Sequence, residues 1–341
     1  MKQNEPIVGT VLITGCGGDI GQSLARILKM KKAVKRLIGC DIHHQHPGHF
    51  IYDWCGILPT VRKPDYLKRL LEILKSQKVD LVIPMSEPEL RFYSENGIRE
   101  VGGVLLLMSN EKSMEIGFDK LATVEFLKRA GLPHPWTVPV EEGKPKELPC
   151  VLKKRGGSGG KELQILNKDE FERLQPQPGM IFQELLEPDD QEYTCSVFRT
   201  PLIKTRVIIL RRRLTGGFTT WAEVIQNATI EKLLHAIAES LDLHGSINVQ
   251  LRLTDNGPVV FEINPRFSST VMLRHIIGFQ NLIWAVQDLV NVEIDPYTPP
   301  ATGTEVFKGY QEFLLFPDRR AYRMDNIQLR ESEVTIERKR K

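Results

Sequence analysis

Apolar residues in the first hundred positions fall into short runs separated by helical stripes. Val11-Leu12-Ile13 is one such run, and behind it Leu24, Ile27 and Leu28 recur at helical spacing. Leu37-Ile38-Gly39-Cys40 repeats the strand signal and closes at Asp41. Leu67, Leu70, Leu71 and Leu74 line one face of a helix ending near Gln77, and residues 79–84 and 104–107 are two further runs. Strands alternating with helices predict a parallel, doubly wound, Rossmann-like sheet over residues 1–108.

The pattern then changes. Ser109 is placed to cap a short helix, and Asp119-Lys120 opens another carrying Leu121, Val124, Phe126 and Leu127. Gly131 and Pro133 end that helix in the usual order. The polar stretch 141–149 reads as a turn between subdomains, and residues 150–153 as a strand entering a glycine-rich loop. Residues 180–186 form an apolar strand with a hinge at its end. Residues 248–251 and 259–264 read as a hairpin turned by Asp255-Asn256-Gly257.

Four constellations carry candidate chemistry. Gly15, Gly18 and Gly21 keep the spacing of a dinucleotide-binding turn, with Asp41 about 20 residues on, where a ribose partner would stand. The same spacing serves a tight turn with no ligand. It also resembles the short-chain and extended dehydrogenase/epimerase family, but none of the seven tyrosines has a lysine four residues later. Glu87 and Glu89 follow the 79–84 strand at its carboxyl end, where open α/β sheets bind ligands. They suit either an amine substrate or the first turn of a helix.

In Lys153-Lys154-Arg155-Gly156-Gly157-Ser158-Gly159-Gly160-Lys161, glycine frees backbone N–H groups to close on phosphate while the cations neutralise it. A solvated basic hairpin is the alternative, and no Gly-Lys-Ser/Thr makes it a Walker A loop. In Glu262-Ile263-Asn264-Pro265-Arg266 the two polar side chains share one strand face, and Gln250 on the paired strand can meet them. Oxygen donors of this kind suit magnesium.

The last two segments together resemble the ATP-grasp superfamily, especially its carbamoyl-phosphate-synthase-like and carboxylate–amine ligase members. The likeness runs from about Lys120 to Arg274, and the preceding domain looks like a pre-ATP-grasp domain. The resemblance implies a two-subdomain ATP-grasp fold over 109–316, with a lid subdomain near 136–186 and a charged tail from 317. It implies that Lys120 reaches the ATP phosphates and that Lys153 contacts the α-phosphate. Gly156, Gly157, Ser158, Gly159 and Gly160 would form the lid, and Gln183, Glu184, Leu185 and Leu186 the adenine hinge. Glu192 would hold the ribose, and Gln250, Glu262 and Asn264 the Mg²⁺ ions, with Mn²⁺ as a substitute. Arg266 would stabilise the transferred phosphoryl group, with Arg206 and Arg211 as further catalytic candidates. Two positions depart from the family pattern: Lys154 stands where proline is usual, and Gln250 where a carboxylate is frequent.

Composition narrows the setting. Charged residues are 26% and hydrophobic residues 41%, an ordinary globular balance that excludes wholesale disorder. No apolar run approaches a membrane span, no signal peptide is read at the start, and five dispersed cysteines fit reduced thiols. A cytoplasmic enzyme is the expectation. The net charge of +3 and the basic end at 338–341 favour a solvated tail over nucleic-acid binding. The resemblance implies small-molecule carboxylate and amine substrates, and a homodimer is compatible with it. The expected reaction activates a carboxylate as an acyl phosphate and joins it to an amine, releasing ADP and phosphate. The competing readings are an NAD(P)-dependent epimerase or reductase using the first glycine turn, and a non-catalytic nucleotide-binding protein.

Overall fold

A computed structural model describes residues 5–157, 163–175, 177–309, 313–315 and 321–323. The chain divides into a unit of residues 1–308 and a second unit of residues 309–341.

The first unit opens with the expected doubly wound layer. Strands β1 (Val8–Thr14), β2 (Val34–Asp41), β3 (Trp54–Ile57), β4 (Leu81–Ile83), β5 (Glu100–Val101) and β6 (Val104–Leu106) pair in the order β3-β2-β1-β4-β6-β5. All pairings are parallel except β5 with β6. Helices α1 (Asp19–Met30), α2 (Tyr66–Gln77) and α3 (Glu87–Glu95) connect them. The turn from β1 into α1 depends on glycine twice. Gly15 sits at φ +62°, and a Cβ on Gly21 would overlap the Gly15 carbonyl oxygen.

Helix α4 (Glu111–Gly117) begins one residue later than a Ser109 cap predicts. Asn110 is the N-cap residue, and Ser109 instead donates to the Ser246 carbonyl at 2.8 Å. A distant strand outbid the local cap. Helix α5 (Lys120–Arg129) is capped by Asp119, whose carboxylate accepts from the N–H groups of Leu121 and Ala122.

Next comes a sheet of β7 (Thr137–Pro139), β8 (Cys150–Lys154), β9 (Gln164–Leu166) and β10 (Met180–Glu184) in the order β7-β10-β8-β9, with α6 (Lys168–Glu172) beside it. Its small core holds Cys150, Leu152, Leu166, Met180 and Phe182.

The third sheet is the frame of the site. It contains β11 (Glu192–Thr200), β12 (Ile203–Thr215), β13 (Phe218–Val224), β14 (Gly245–Thr254), β15 (Gly257–Asn264) and β16 (Glu305–Phe307), ordered β15-β14-β11-β12-β13-β16. One face packs on α7 (Ala228–Ser240): Tyr193, Cys195, Val197, Ile209, Val249, Leu251 and Ile263 join Ile230, Leu234 and Ile237 there. Strand alternation therefore turns Glu192, Thr194, Asn248, Gln250 and Asn264 to the opposite face. Helices α8 (Val271–Ile276) and α9 (Asn281–Leu289) carry that face's apolar half onto the first layer, where Leu24 and Leu28 of α1 share a core with Phe198, Leu210, Phe279 and Trp284. An ion pair from Lys308 to Asp19 ties the end of β16 to the first turn of α1.

In the second unit, β17 (Phe313–Leu315) pairs antiparallel with β18 (Ala321–Arg323).

Candidate active site

The three layers of the first unit enclose a cavity of 1170 Å³. Lys120, Lys153, Gly156, Gly157, Gln183, Glu184, Leu185, Leu186, Glu192, Gln250, Glu262, Asn264 and Arg266 all line it. The structure thus brings together residues spread over almost 150 positions. Ser158, Gly159 and Gly160 of the expected lid lie outside the described residues.

The carboxylate end of the site is built by strand pairing. Asn248 stands opposite Asn264 and Gln250 opposite Glu262, while a β-bulge after Gln250 sets Leu251 against Val260. The bulge lets Phe261 and Glu262 both line the cavity, which strict alternation forbids. The donor set Gln250, Glu262 and Asn264 is all oxygen, with one carboxylate. Among the described residues no group of three or more His, Cys, Asp or Glu forms a metal cluster. A hard ion that keeps waters and takes phosphate oxygens fits such a sparse set; a softer metal does not.

Two lysines converge on this carboxylate. Lys120 lies 3.9 Å from Glu262 Oε1 and donates to the Gly157 carbonyl at 2.7 Å. Lys153 points from β8 into the cavity wall with its ammonium 5.6 Å from the Phe261 ring. Burial pushes the Lys153 pKa down to about 8; Glu262 opposes that fall and Lys120 adds to it. Arg266 is likewise held below its ordinary value by burial, against the pull of Glu262 and Glu87.

Glu192, which also lines the cavity, is fixed by two arginines. Arg212 Nε donates to its Oε1 at 2.9 Å and Arg252 to its Oε2 at 3.1 Å. Arg252 also donates to the Leu186 carbonyl and pairs with Asp189 at 2.7 Å, which holds the end of the 183–186 hinge. Arg212 reaches Gln250 Oε1 at 3.0 Å.

Four expected site residues lie elsewhere. Arg206 donates to the Asp295 carbonyl at 2.7 Å and stacks 4.4 Å from the Trp284 ring. Arg211 belongs to the odd positions of β12, on the α7 face, and pairs with Glu223 at 2.7 Å. The cavity-lining arginine of that run is Arg212, which sequence reading missed. Residues 207–210 are apolar on both faces, so alternation gave no sign of which side was the cleft. Glu89 is buried, and its carboxylate takes hydroxyls from Thr14 at 2.8 Å, Tyr66 at 2.7 Å and Ser86 at 2.6 Å. It fastens α3 to the first sheet. Glu87 accepts the Gly157 N–H at 3.1 Å and pairs with Arg91, so it steadies the glycine loop from outside the cavity lining.

The N-terminal glycine turn also reaches the cavity, through Gly15, Gly17, Gly18 and Asp41. The Asp41 carboxylate, however, already accepts the N–H groups of Gly17 and Ile42, both at 2.8 Å. Beside it, His43, Gln45 and His46 face the same space.

Residues 118–270 match the ATP-grasp domain family ATP-grasp_3, and residues 11–105 match the PylC-like, N-terminal domain. No curated protein matches the chain by sequence. Among solved structures, the ADP complex of purK, N5-carboxyaminoimidazole ribonucleotide synthetase, is 18% identical with a TM-score of 0.68, covering 89% of this chain and 82% of that one. The biotin carboxylase domain dimer of Hydrogenobacter thermophilus 2-oxoglutarate carboxylase, bound to MgADP, ADP and bicarbonate, is 15% identical at a TM-score of 0.64, covering 86% and 73%. L-amino acid ligase from Bacillus licheniformis is 16% identical at 0.60, covering 85% and 75%. Residues 118–270 are thus an ATP-grasp domain, and a PylC-like N-terminal domain precedes it over residues 11–105.

Proposed function

We propose that the protein is an ATP- and magnesium-dependent carboxylate–amine ligase. The observation that carries this reading is the convergence of Lys120, Lys153, Glu262, Asn264 and Arg266 on one cavity that the 183–186 hinge also lines. In this reading the lysines, Arg266 and the oxygen donors take phosphate and metal, and the hinge takes a base through its main-chain groups.

In this reading a substrate carboxylate takes the γ-phosphoryl group of ATP, giving an acyl phosphate and ADP. An amine then displaces phosphate. Lys120, Lys153 and Arg266 neutralise the charge spread over the phosphoryl oxygens, and their fixed positions spare reorganisation during transfer. Glu262, Asn264 and Gln250 would hold magnesium, which would supply charge neutralisation to the triphosphate. Glu192, pinned by Arg212 and Arg252, presents a preformed acceptor for ribose hydroxyls. The glycine-rich loop after Lys153 would serve, as the resemblance implies, to exclude water that would otherwise hydrolyse the acyl phosphate. Manganese in place of magnesium, a cytoplasmic setting and a homodimer belong to the same reading.

The dinucleotide alternative finds less support. The Asp41 oxygens that would receive ribose hydroxyls already hold two backbone donors. The test of the ligase reading is a panel of amino acids and small carboxylates with paired amines, scored by ADP release. Nucleotide binding without ADP release from any combination would favour a non-catalytic nucleotide-binding protein.

A further inference from the structure

Behind the polar floor of the cavity lies a guanidinium with no counter-ion among the described residues. Arg274 on α8 is 1% exposed. Its acceptors are all neutral: Ser268 Oγ at 3.0 Å, Thr194 Oγ1 at 3.1 Å and Asn248 Oδ1 at 2.6 Å. Among the described residues no carboxylate pairs with it. Burial holds its pKa down to about 9, which still leaves it a cation at neutral pH. A buried charge without an opposite charge is costly, and fixed dipoles alone offset that cost only in part.

The same contacts orient Asn248. A guanidinium only donates, so the amide atom facing Arg274 is the oxygen, and Nδ2 is turned away. That nitrogen has no partner among the described residues, although Asn248 is 1% exposed and lines the cavity opposite Asn264. Ser268, Ser269 and Arg266 line the same stretch. The Ser268 oxygen receives an Arg274 N–H, which leaves its hydroxyl hydrogen for Thr270 at 2.8 Å or for a ligand. Donors predominate here and the local charge is positive, so the complementary ligand is a small oxyanion.

We propose that Arg274 is a positioning residue which, through Asn248 and Ser268, forms with Arg266 an anion subsite for the carboxylate of the substrate. The proposal rests on the ligase reading, because it assigns the group that would accept the phosphoryl. It gives the buried cation its missing anion and the orphaned Nδ2 its missing acceptor, both supplied by one ligand.

Asn248→Asp tests it with a change of sign. The new carboxylate would pair with Arg274 and serve as its counter-ion, so Tm should hold or rise. The same carboxylate would repel an incoming anion. Full-length protein is titrated calorimetrically with ADP and magnesium, then with sodium formate as the carboxylate probe and inorganic phosphate as the phosphoryl probe. Formate is scored both with and without nucleotide. Failure to bind ADP counts against the ligase reading, whereas the formate titrations judge the subsite. The expected result is formate binding to the wild type, weakened about tenfold or more by Asn248→Asp and by Arg274→Met. ADP affinity should stay within about twofold, and Arg274→Lys should recover part of the loss. If Arg274→Met does not fold, the near-isosteric Asn248→Asp carries the test. No formate binding to the wild type, preference for phosphate over formate, or unchanged formate affinity in Asn248→Asp would each overturn the proposal.

Discussion

Glu262→Gln removes the one carboxylate from the oxygen donor set and, with it, the negative charge that two lysines face. Glu262 lies 3.9 Å from Lys120, and it opposes the burial that lowers Lys153 to about 8. Unit charges about 4 Å apart in a partly shielded site interact by about 4 kcal/mol, of which solvent and relaxation return a share. A net loss of about 2–3 kcal/mol in metal-supported binding is therefore expected, roughly a hundredfold in affinity. The metal-free case has the opposite sign. Without magnesium, Glu262 repels the ATP phosphates, so the variant should bind metal-free ATP as tightly as the wild type or more so.

The pH dependence adds a second signature. Lys153 is protonated below about 8, so wild-type ATP affinity should be full on the acid side of that value and fall as pH rises through it. Losing Glu262 removes the influence that raises this pKa, and the fall should move to lower pH. The assay is calorimetric titration of a non-hydrolysable ATP analogue, with magnesium or with chelator, at several pH values, and it requires no knowledge of the acceptor substrate. An unchanged ratio of magnesium-supported to metal-free affinity would refute the metal assignment. An unmoved alkaline limb would refute the coupling of Glu262 to Lys153.

Three further outcomes follow from the same geometry. Arg212→Ala should weaken ATP binding by about tenfold or more by freeing Glu192 and Gln250, whereas Arg211→Ala and Arg206→Ala should change it less than about twofold; parallel titrations of the three variants decide whether Arg212 is the arginine of β12 that serves the cavity. Glu89→Gln should lower the unfolding free energy measured in urea by about 2–3 kcal/mol, through the hydroxyl bonds it weakens, and leave ATP affinity unchanged; a variant of normal stability with impaired binding would return Glu89 to the substrate site. Calorimetry with NAD(P) should show no binding, and micromolar affinity abolished by Asp41→Ala would revive a dinucleotide role for the glycine turn.

What the residues alone disclosed is local and periodic. Strand runs and helical stripes gave the doubly wound first layer, because burial imposes a period on each element that survives in the order of residues. Glu262, Asn264 and their partner Gln250 were legible for a similar reason: a hairpin has one register, so two residues apart means one face. Lys153 and the first glycines after it were legible because few other segments gather cations and glycine at a strand end.

The rest depended on contacts between distant parts of the chain. Arg206, Arg211 and Arg212 are alike in sequence, and only the packing of α7 on one face of β12 and of α9 on the other sends Arg212 to the cavity. Glu89 sits in the right turn of the right helix, yet hydroxyls from Thr14 and Tyr66 converge on it and bury it. Ser109 lost its capping role to a carbonyl 137 residues away. Phe261 joins Glu262 at the cavity through a bulge that no period encodes. Arg274 and Asn248 look like ordinary polar positions until folding removes water from both and leaves a charge and a donor unanswered. Periodicity records which face is dry; which charges then meet across that face is decided when the layers close.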